Sequence, residues 1–187
     1  MDLILASQSP RRRRLLAELG VAFRCMSPEV EELSGGMAAR ALVLENALRK
    51  WRWCCAREPD ALILTADTTV ELDGAVLGKP CNRAEAEEML RRESGRVQAV
   101  HTGYVLAYAH EQYPPPGCGV ETSLVAFKAL TEQDIHTYID RVQPYDRAGA
   151  YDIDESGDLL VSRFTGSRTN VMGLPLERIK ELLSCKS

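Results

Sequence analysis

Leu3-Ile4-Leu5-Ala6-Ser7-Gln8-Ser9-Pro10-Arg11-Arg12-Arg13-Arg14-Leu15-Leu16 is the stretch on which the reading of the fold turns. A short apolar run of strand character breaks at Ser-x-Ser-Pro and passes into a helical pattern whose first turn is basic. That is a strand, a tight turn and a helix. Ser9 can cap the free N–H groups of the new helix, Pro10 suits its first position, and the exposed amides there favour an anion. Arg11 and Arg12 strengthen such a site, because guanidinium groups grip phosphate oxygens in pairs. A block of arginines is by itself as readily a solvated helix face, so the remainder of the chain has to decide.

With 187 residues the chain is long enough to bury a substantial core, and a single folding unit is expected. Lysine and arginine total 23 against 27 aspartates and glutamates, and the resulting net charge of −4 argues against unspecific nucleic-acid binding. Local basic clusters must then have a local task. The six cysteines show no Cys-x-x-Cys spacing and no neighbouring histidines of zinc-site type, and they read as the reduced thiols of a cytosolic protein. The amino terminus turns basic after a short apolar start, the reverse of a signal peptide, and no run approaches membrane-spanning length. A soluble, cytoplasmic protein without a membrane partner is the expectation.

Outward from the opening stretch, Val21 to Met26 alternates like a strand that would lie beside the first, and Glu29, Glu31 and Glu32 follow in an irregular acidic segment before Ser34-Gly35-Gly36. A helix is predicted from Met37 to Arg57, with Ala41, Leu44, Leu48 and Trp51 on its buried face. Lys50 lies within it and, taken alone, reads as a surface lysine. Ala61 to Ala66 is a continuous apolar strand of the kind buried on both faces, and it ends in Asp67-Thr68-Thr69. Asp67 therefore stands at a strand's carboxyl end, where ligands gather in open α/β sheets, although a turn cap would serve as well.

Val70 to Leu77 alternates about Asp73-Gly74 as a hairpin, and Gly78-Lys79-Pro80 then holds a lysine between two residues that restrict its backbone. Asn82 and Glu85 open a helix that runs to about Glu93 and stops at Gly95. Val97–Tyr108 and Val120–Leu130 form a second hairpin with a proline-rich tip, and Thr131 caps a helix that buries Ile135, Tyr138 and Ile139. The small and acidic residues from Arg147 to Gly157 suggest backbone close to a packed element or a ligand. Leu159–Phe164 reads as a strand and Thr169 onward as a turn into a last helix through Leu183. Strands alternating with helices, with hairpins among them, give an α/β fold with a mixed sheet.

A phosphate-gripping helix start, fixed lysines and strand-end carboxylates are the parts needed to cut a phosphoanhydride. A nucleoside triphosphate carries roughly four negative charges, which arginine and lysine can offset, and magnesium favours one or two carboxylates together with substrate phosphates. Asp67 and Glu32 could supply those carboxylates, and one of them could activate water. There is no Gly-x-x-x-x-Gly-Lys-Ser/Thr loop and no Gly-x-Gly-x-x-Gly after a strand. His101, His110 and His136 are scattered and read as structural or exposed.

Leu-Ala-Ser7-x-Ser9-Pro10-Arg11-Arg12, Glu31-Glu32, Ala47-x-x-Lys50, Ala66-Asp67-Thr68, Leu77-Gly78-Lys79-Pro80, His101-Thr102-Gly103, Ala148-Gly149-Ala150-Tyr151 and Asn170-Val-Met-Gly173-Leu174-Pro175-Leu176, in that order, resemble the Maf proteins. The resemblance covers nearly the whole chain. It implies an elongated, two-lobed mixed-sheet fold related to inosine triphosphate pyrophosphatases, a substrate cleft between the lobes, and often a homodimer. It also implies release of a nucleoside monophosphate and pyrophosphate from a nucleoside triphosphate with a divalent cation, Mg²⁺ or Mn²⁺; the family was earlier described as inhibitors of septum formation.

Carried over by that resemblance, Asp67 is the catalytic acid and Glu32 the second acid, both able to hold metal. Arg11, Arg12, Lys50 and Lys79 become phosphate and substrate contacts, and Ser7 lies in the same phosphate-facing turn. Thr68 follows the pattern of members that prefer dTTP and UTP over 7-methyl-GTP. Asp154 departs from it, standing where those members carry glutamine and the purine-preferring branch an acid, and an ionised aspartate only accepts hydrogen bonds. Two alternatives therefore stay open: the same reaction on 7-methyl-GTP or another modified nucleotide, and a nucleotide-binding regulator of cell division with weak hydrolysis.

Overall fold

The computed structural model describes residues 2–186. Strand β1 (Leu3–Ala6) passes into helix α1 (Pro10–Ala17) as the opening stretch predicts, with the Ser9 hydroxyl accepting the Arg12 N–H at 3.4 Å and Pro10 in the first turn. Strand β2 (Arg24–Met26) lies parallel beside β1 but begins later than the Val21 expected. On its other side β1 pairs, again in parallel, with β3 (Leu62–Leu72).

From β3 onward the sheet is antiparallel. β3 turns through Asp73-Gly74 into β4 (Ala75–Leu77) and pairs along most of its length with β5 (Val97–Tyr108), which pairs with β6 (Cys118–Phe127), and β6 with β7 (Val161–Thr165). The seven strands form one mixed sheet in the order β2-β1-β3-β5-β6-β7, with β4 beside β3. Helices α2 (Ala39–Cys55), α3 (Arg83–Glu93), α4 (Glu132–Val142), α5 (Gly157–Leu160), α6 (Arg168–Val171) and α7 (Leu176–Ser184) flank it, with a 3-10 turn at Ala148–Ala150.

Residue patterning explains the layers. Leu3, Leu5, Leu62 and Leu64 pack one face of β1 and β3 against Leu15 and Leu16 of α1 and Ile179 of α7, while Ile4, Ala6 and Ile63 pack the opposite face against Ala47, Leu48 and Trp51 of α2. Both faces are covered, which is why these strands read as unbroken apolar runs. The far halves of β3, β5 and β6 meet α3 and α4 in a separate cluster of Val70, Leu72, Val100, Val125, Leu90, Ile135, Tyr138 and Ile139. Each fully buried aliphatic side chain contributes on the order of 2 kcal/mol. β3 and β5 thus run through both ends of the molecule. α2 lies close on β5 at Gly103, where a Cβ would stand 2.3 Å from the Val43 carbonyl oxygen.

Several expectations are corrected. The buried stripe of α2 is Ala39, Leu42, Val43, Asn46, Ala47, Leu48, Lys50, Trp51 and Cys54, with Ala41 exposed; two polar residues lie in that stripe, so apolar spacing alone misplaced its edge. Leu159 and Leu160 end α5 rather than opening β7, because Leu160 is drawn into the α3–α4 cluster while β7 is a largely exposed edge strand. The last helix begins directly after Pro175 as expected, its Leu176 N–H taken by the Thr169 hydroxyl at 3.0 Å, but the stretch before it, read as a turn, holds the short helix Arg168–Val171. Asp67 lies in the interior of β3, not at its end, since pairing with β5 carries the strand on to Leu72. Among the described residues no helix is long and apolar enough to cross a membrane.

Candidate active site

Asp67 still occupies the end of a parallel strand, but of β1 rather than its own. The β1–β3 register stops at Leu5 opposite Leu64, so the Asp67 carboxylate emerges just past the neighbour's last paired residue. Its Oδ1 accepts a hydrogen bond from Lys50 Nζ at 2.9 Å and its Oδ2 one from Asn46 Nδ2 at 2.9 Å. Lys50, 6% exposed, is not the surface lysine that its helix suggested. Its ammonium is balanced by Asp67, by Glu32 Oε1 at 2.6 Å and by the Ala66 carbonyl at 3.3 Å, the pairing a buried charge requires. Burial raises the Glu32 pKa, but Lys50, Arg12 and Lys79 outweigh it and hold this carboxyl below its ordinary value.

Asn46 organises this centre, and nothing in the sequence analysis singled it out. It lies one helical turn before Lys50, so both side chains leave α2 on the same face. Its Oδ1 accepts the Leu33 N–H at 2.8 Å and its Nδ2 donates to the Leu33 carbonyl at 3.0 Å, which pins the acidic segment carrying Glu32 beside Asp67. An asparagine and a lysine at i and i+4 inside an apolar stripe were the available signal. Replacing Asn46 with alanine frees Asp67 Oδ2 and strands two backbone groups. Steady-state kinetics and urea unfolding should show kcat lower by roughly ten- to a hundredfold and stability lower by about 2 kcal/mol.

The basic helix start forms the facing wall. Arg12 donates from Nε to the Gly173 carbonyl at 2.7 Å and from Nη2 to the Thr68 hydroxyl at 2.9 Å, and Thr68 in turn meets Thr102 at 2.9 Å. Thr102 donates to the Asn170 carbonyl at 3.1 Å, and the fully buried Asn170 side chain donates to the Val100 carbonyl and to Ser123. The hydroxyl of Thr68 is thus engaged in fixing Arg12. Arg11 donates to Asp152 Oδ2 at 2.8 Å, and Arg147 Nε reaches the same oxygen at 2.9 Å. Burial raises the Asp152 pKa; the Asp154 N–H and the two guanidiniums overcome this and hold the carboxyl below its usual range. Arg147 and Asp152 are further site residues that the sequence did not single out.

One cleft of about 690 Å³ is lined by Ser7, Arg11, Arg12, Glu32, Lys50, Asp67, Thr68 and Lys79 together. Ser7 braces the turn, accepting the Ser9 N–H at 3.1 Å, and Lys79 is exposed toward the cleft. Asp154 is not in this group. Its carboxylate pairs with Arg14, itself a lining residue, at 3.0 Å and with Arg168 at 2.9 Å.

Residues 2–185 match the family described as Maf-like protein. The chain belongs to the Maf family. Among similar proteins, the dTTP/UTP pyrophosphatase of Symbiobacterium thermophilum is 43% identical over 184 residues, covering 98% of this chain and 93% of that protein. The dTTP/UTP pyrophosphatase of Myxococcus xanthus is 42% identical over 182 residues, covering 97% and 90%. The solved structure of a HAM1 protein from Coxiella burnetii shares the fold with a TM-score of 0.57 at 18% identity, covering 98% of both chains. The mixed α/β architecture expected for a Maf protein is therefore the one found.

Among the described residues of this Maf chain, no group of three or more His, Cys, Asp or Glu side chains is placed to hold a metal by itself. Asp67 and Glu32 are the carboxylates that could share one, both within reach of Lys50 and with the Glu32 side chain 54% exposed. Such a donor set fits a hard divalent cation that keeps phosphate and water among its ligands, as magnesium does, better than a fully caged ion.

Proposed function

We propose that this chain is a nucleoside triphosphate pyrophosphatase that hydrolyses the α–β phosphoanhydride of dTTP and UTP to the nucleoside monophosphate and pyrophosphate. The observation that carries the reading is the ion cluster in which Lys50 joins Asp67 and Glu32 at the foot of an arginine-lined cleft. The naming of close relatives as dTTP/UTP pyrophosphatases supports it.

In this mechanism Arg11, Arg12 and Lys79 receive the phosphates, at the positive end of α1. Asp67, held on both oxygens by Lys50 and Asn46, takes a proton from a water whose oxygen bonds to the α-phosphorus. The bond from that phosphorus to the bridging oxygen breaks, pyrophosphate leaves, and the cations offset the charge that grows on it. Asp67 and Glu32 would hold Mg²⁺ or Mn²⁺, which supplies further charge neutralisation at the phosphates.

Asp154, the residue that pointed to a purine, has its charge offset by Arg14, which lines the cleft, and by Arg168. The test is pyrophosphate release from the purified protein with magnesium over a panel of NTPs, dNTPs and 7-methyl-GTP. Selective turnover of dTTP and UTP is the expected result. Preference for 7-methyl-GTP would overturn the base assignment, and no turnover of any triphosphate would overturn the enzyme reading in favour of a binding module.

A further inference from the structure

Beneath the cleft wall at Tyr151 and Asp152 lies a buried polar cluster that the proposed reaction leaves unused. Glu93 ends α3 and is 1% exposed, and neither of its carboxyl oxygens has a hydrogen-bond partner among the described residues. The side-chain amide of Gln98, also 1% exposed, and the Tyr151 hydroxyl are unpartnered too. All three meet under one piece of backbone. A Cβ on Gly149 would stand 2.8 Å from Glu93 Oε1, and the Tyr151 hydroxyl faces both Glu93 and Gln98, within interaction range but outside hydrogen-bond geometry.

That backbone carries the cleft wall. Gly149, at φ +71°, donates its N–H to the Gly78 carbonyl at 3.0 Å and so braces the loop bearing Lys79. The Tyr151 ring lines the cleft and stands edge-on to Phe127 with centroids 5.1 Å apart. Next to it, Asp152 receives Arg11 and Arg147, and its N–H goes to the Tyr138 hydroxyl at 2.7 Å. Through Arg11 and the Gly78–Lys79 loop, this wall steadies two of the groups proposed to receive the phosphates.

An unpartnered carboxylate buried here would be costly, whereas a protonated carboxyl can donate its O–H to Gln98 or Tyr151 and accept in return. The titratable and charged groups around it are few: Arg92 on its own helix, Tyr151 from the loop, and behind that Tyr138 of α4 and Asp152. Burial raises the Glu93 pKa well above the ordinary carboxyl value, against a weaker opposing pull from Arg92.

We infer that Glu93 is a positioning residue, a neutral buried acid that with Gln98 holds Tyr151 and the Gly149–Asp152 wall in place beside the substrate. The last clause rests on the function proposed above. Ionisation of Glu93 brings an uncompensated charge beneath the wall and loosens it, so substrate binding weakens as pH rises while the Lys50–Asp67–Glu32 centre is left intact.

The test uses the whole chain and Glu93→Gln, a neutral side chain of the same shape. First, backbone amide shifts of Gly149 and Tyr151 are followed by NMR from about pH 6 to about pH 10, without substrate. Both should titrate together in the wild type and lose that step in Glu93→Gln. Second, KM for a turned-over triphosphate should rise toward tenfold per pH unit above the same midpoint in the wild type, with kcat moving less, and Glu93→Gln should lack the rise.

Identical amide titrations in the two proteins, or identical KM profiles, would overturn the inference. If no triphosphate is turned over, the enzyme reading fails while the amide titration still decides the role of Glu93. If Glu93→Gln does not fold, the wild-type amide titration decides: a shared step at Gly149 and Tyr151 supports the inference, and no step at either overturns it.

Discussion

Asp67→Asn is expected to lower kcat by about a thousandfold with the fold unchanged, the loss typical of removing a positioned general base. The amide keeps the shape of the carboxylate and can still accept from Lys50, so the buried ammonium retains Glu32 and one oxygen of residue 67. What disappears is a group able to take a proton, one of the two carboxylates that could hold a divalent cation, and the acceptor for Asn46 Nδ2. Because Arg11, Arg12 and Lys79 are untouched on the facing wall, KM should change far less than kcat. Single-turnover measurements, together with a far-UV spectrum and a urea midpoint, separate lost chemistry from lost structure. Turnover within a factor of about ten of wild type would remove Asp67 from the chemical step.

Gly103→Ala should be strongly damaging although it touches no functional group. The new methyl would stand 2.3 Å from the Val43 carbonyl oxygen and 2.6 Å from the Leu44 nitrogen, both backbone atoms of α2 that no rotamer change can move. The helix must shift away from β5, at a cost of about 3 kcal/mol, the upper end for overpacked sites. Asn46 and Lys50 ride on that helix, so the shift also draws their donors off Asp67. Urea unfolding and kinetics should therefore fall together, with kcat lower by on the order of a hundredfold. A variant of wild-type stability would show that α2 can slide over β5 without penalty.

The legible parts of the molecule are those whose causes are local. Ser9 and Pro10 start α1 by acting within one turn, Asp73-Gly74 reverses β3 into β4, and Thr131 with Asp134 closes a capping box on α4. Lys50 was opaque because its compensation comes from Glu32 and Asp67, brought to it only by the packing of α2 on β3. The length of β3 was hidden for the same reason. An apolar run ends at Ala66, but the strand continues because Asp67 pairs with Gly103 and Thr68 with Thr102. The pairing of Asp154 depends on Arg14 and Arg168, neither adjacent to it in the chain. Asn46 illustrates the limit best: its three bonds go to Leu33 and Asp67, and a lone asparagine in a helix announces neither.

That β3 and β5 run unbroken through both ends of the sheet fixes where the protein can flex. Rotation of one end against the other has to be taken up as twist in these two paired strands, and Asp67 and Gly103 face each other at the middle of that pairing. Asp67 therefore sits near the fulcrum, where displacement is least. The rims of the cleft, at α1 on one side and Gly78–Lys79 on the other, lie farther out along the lever arms, so twist in the two strands shifts them more than it shifts Asp67.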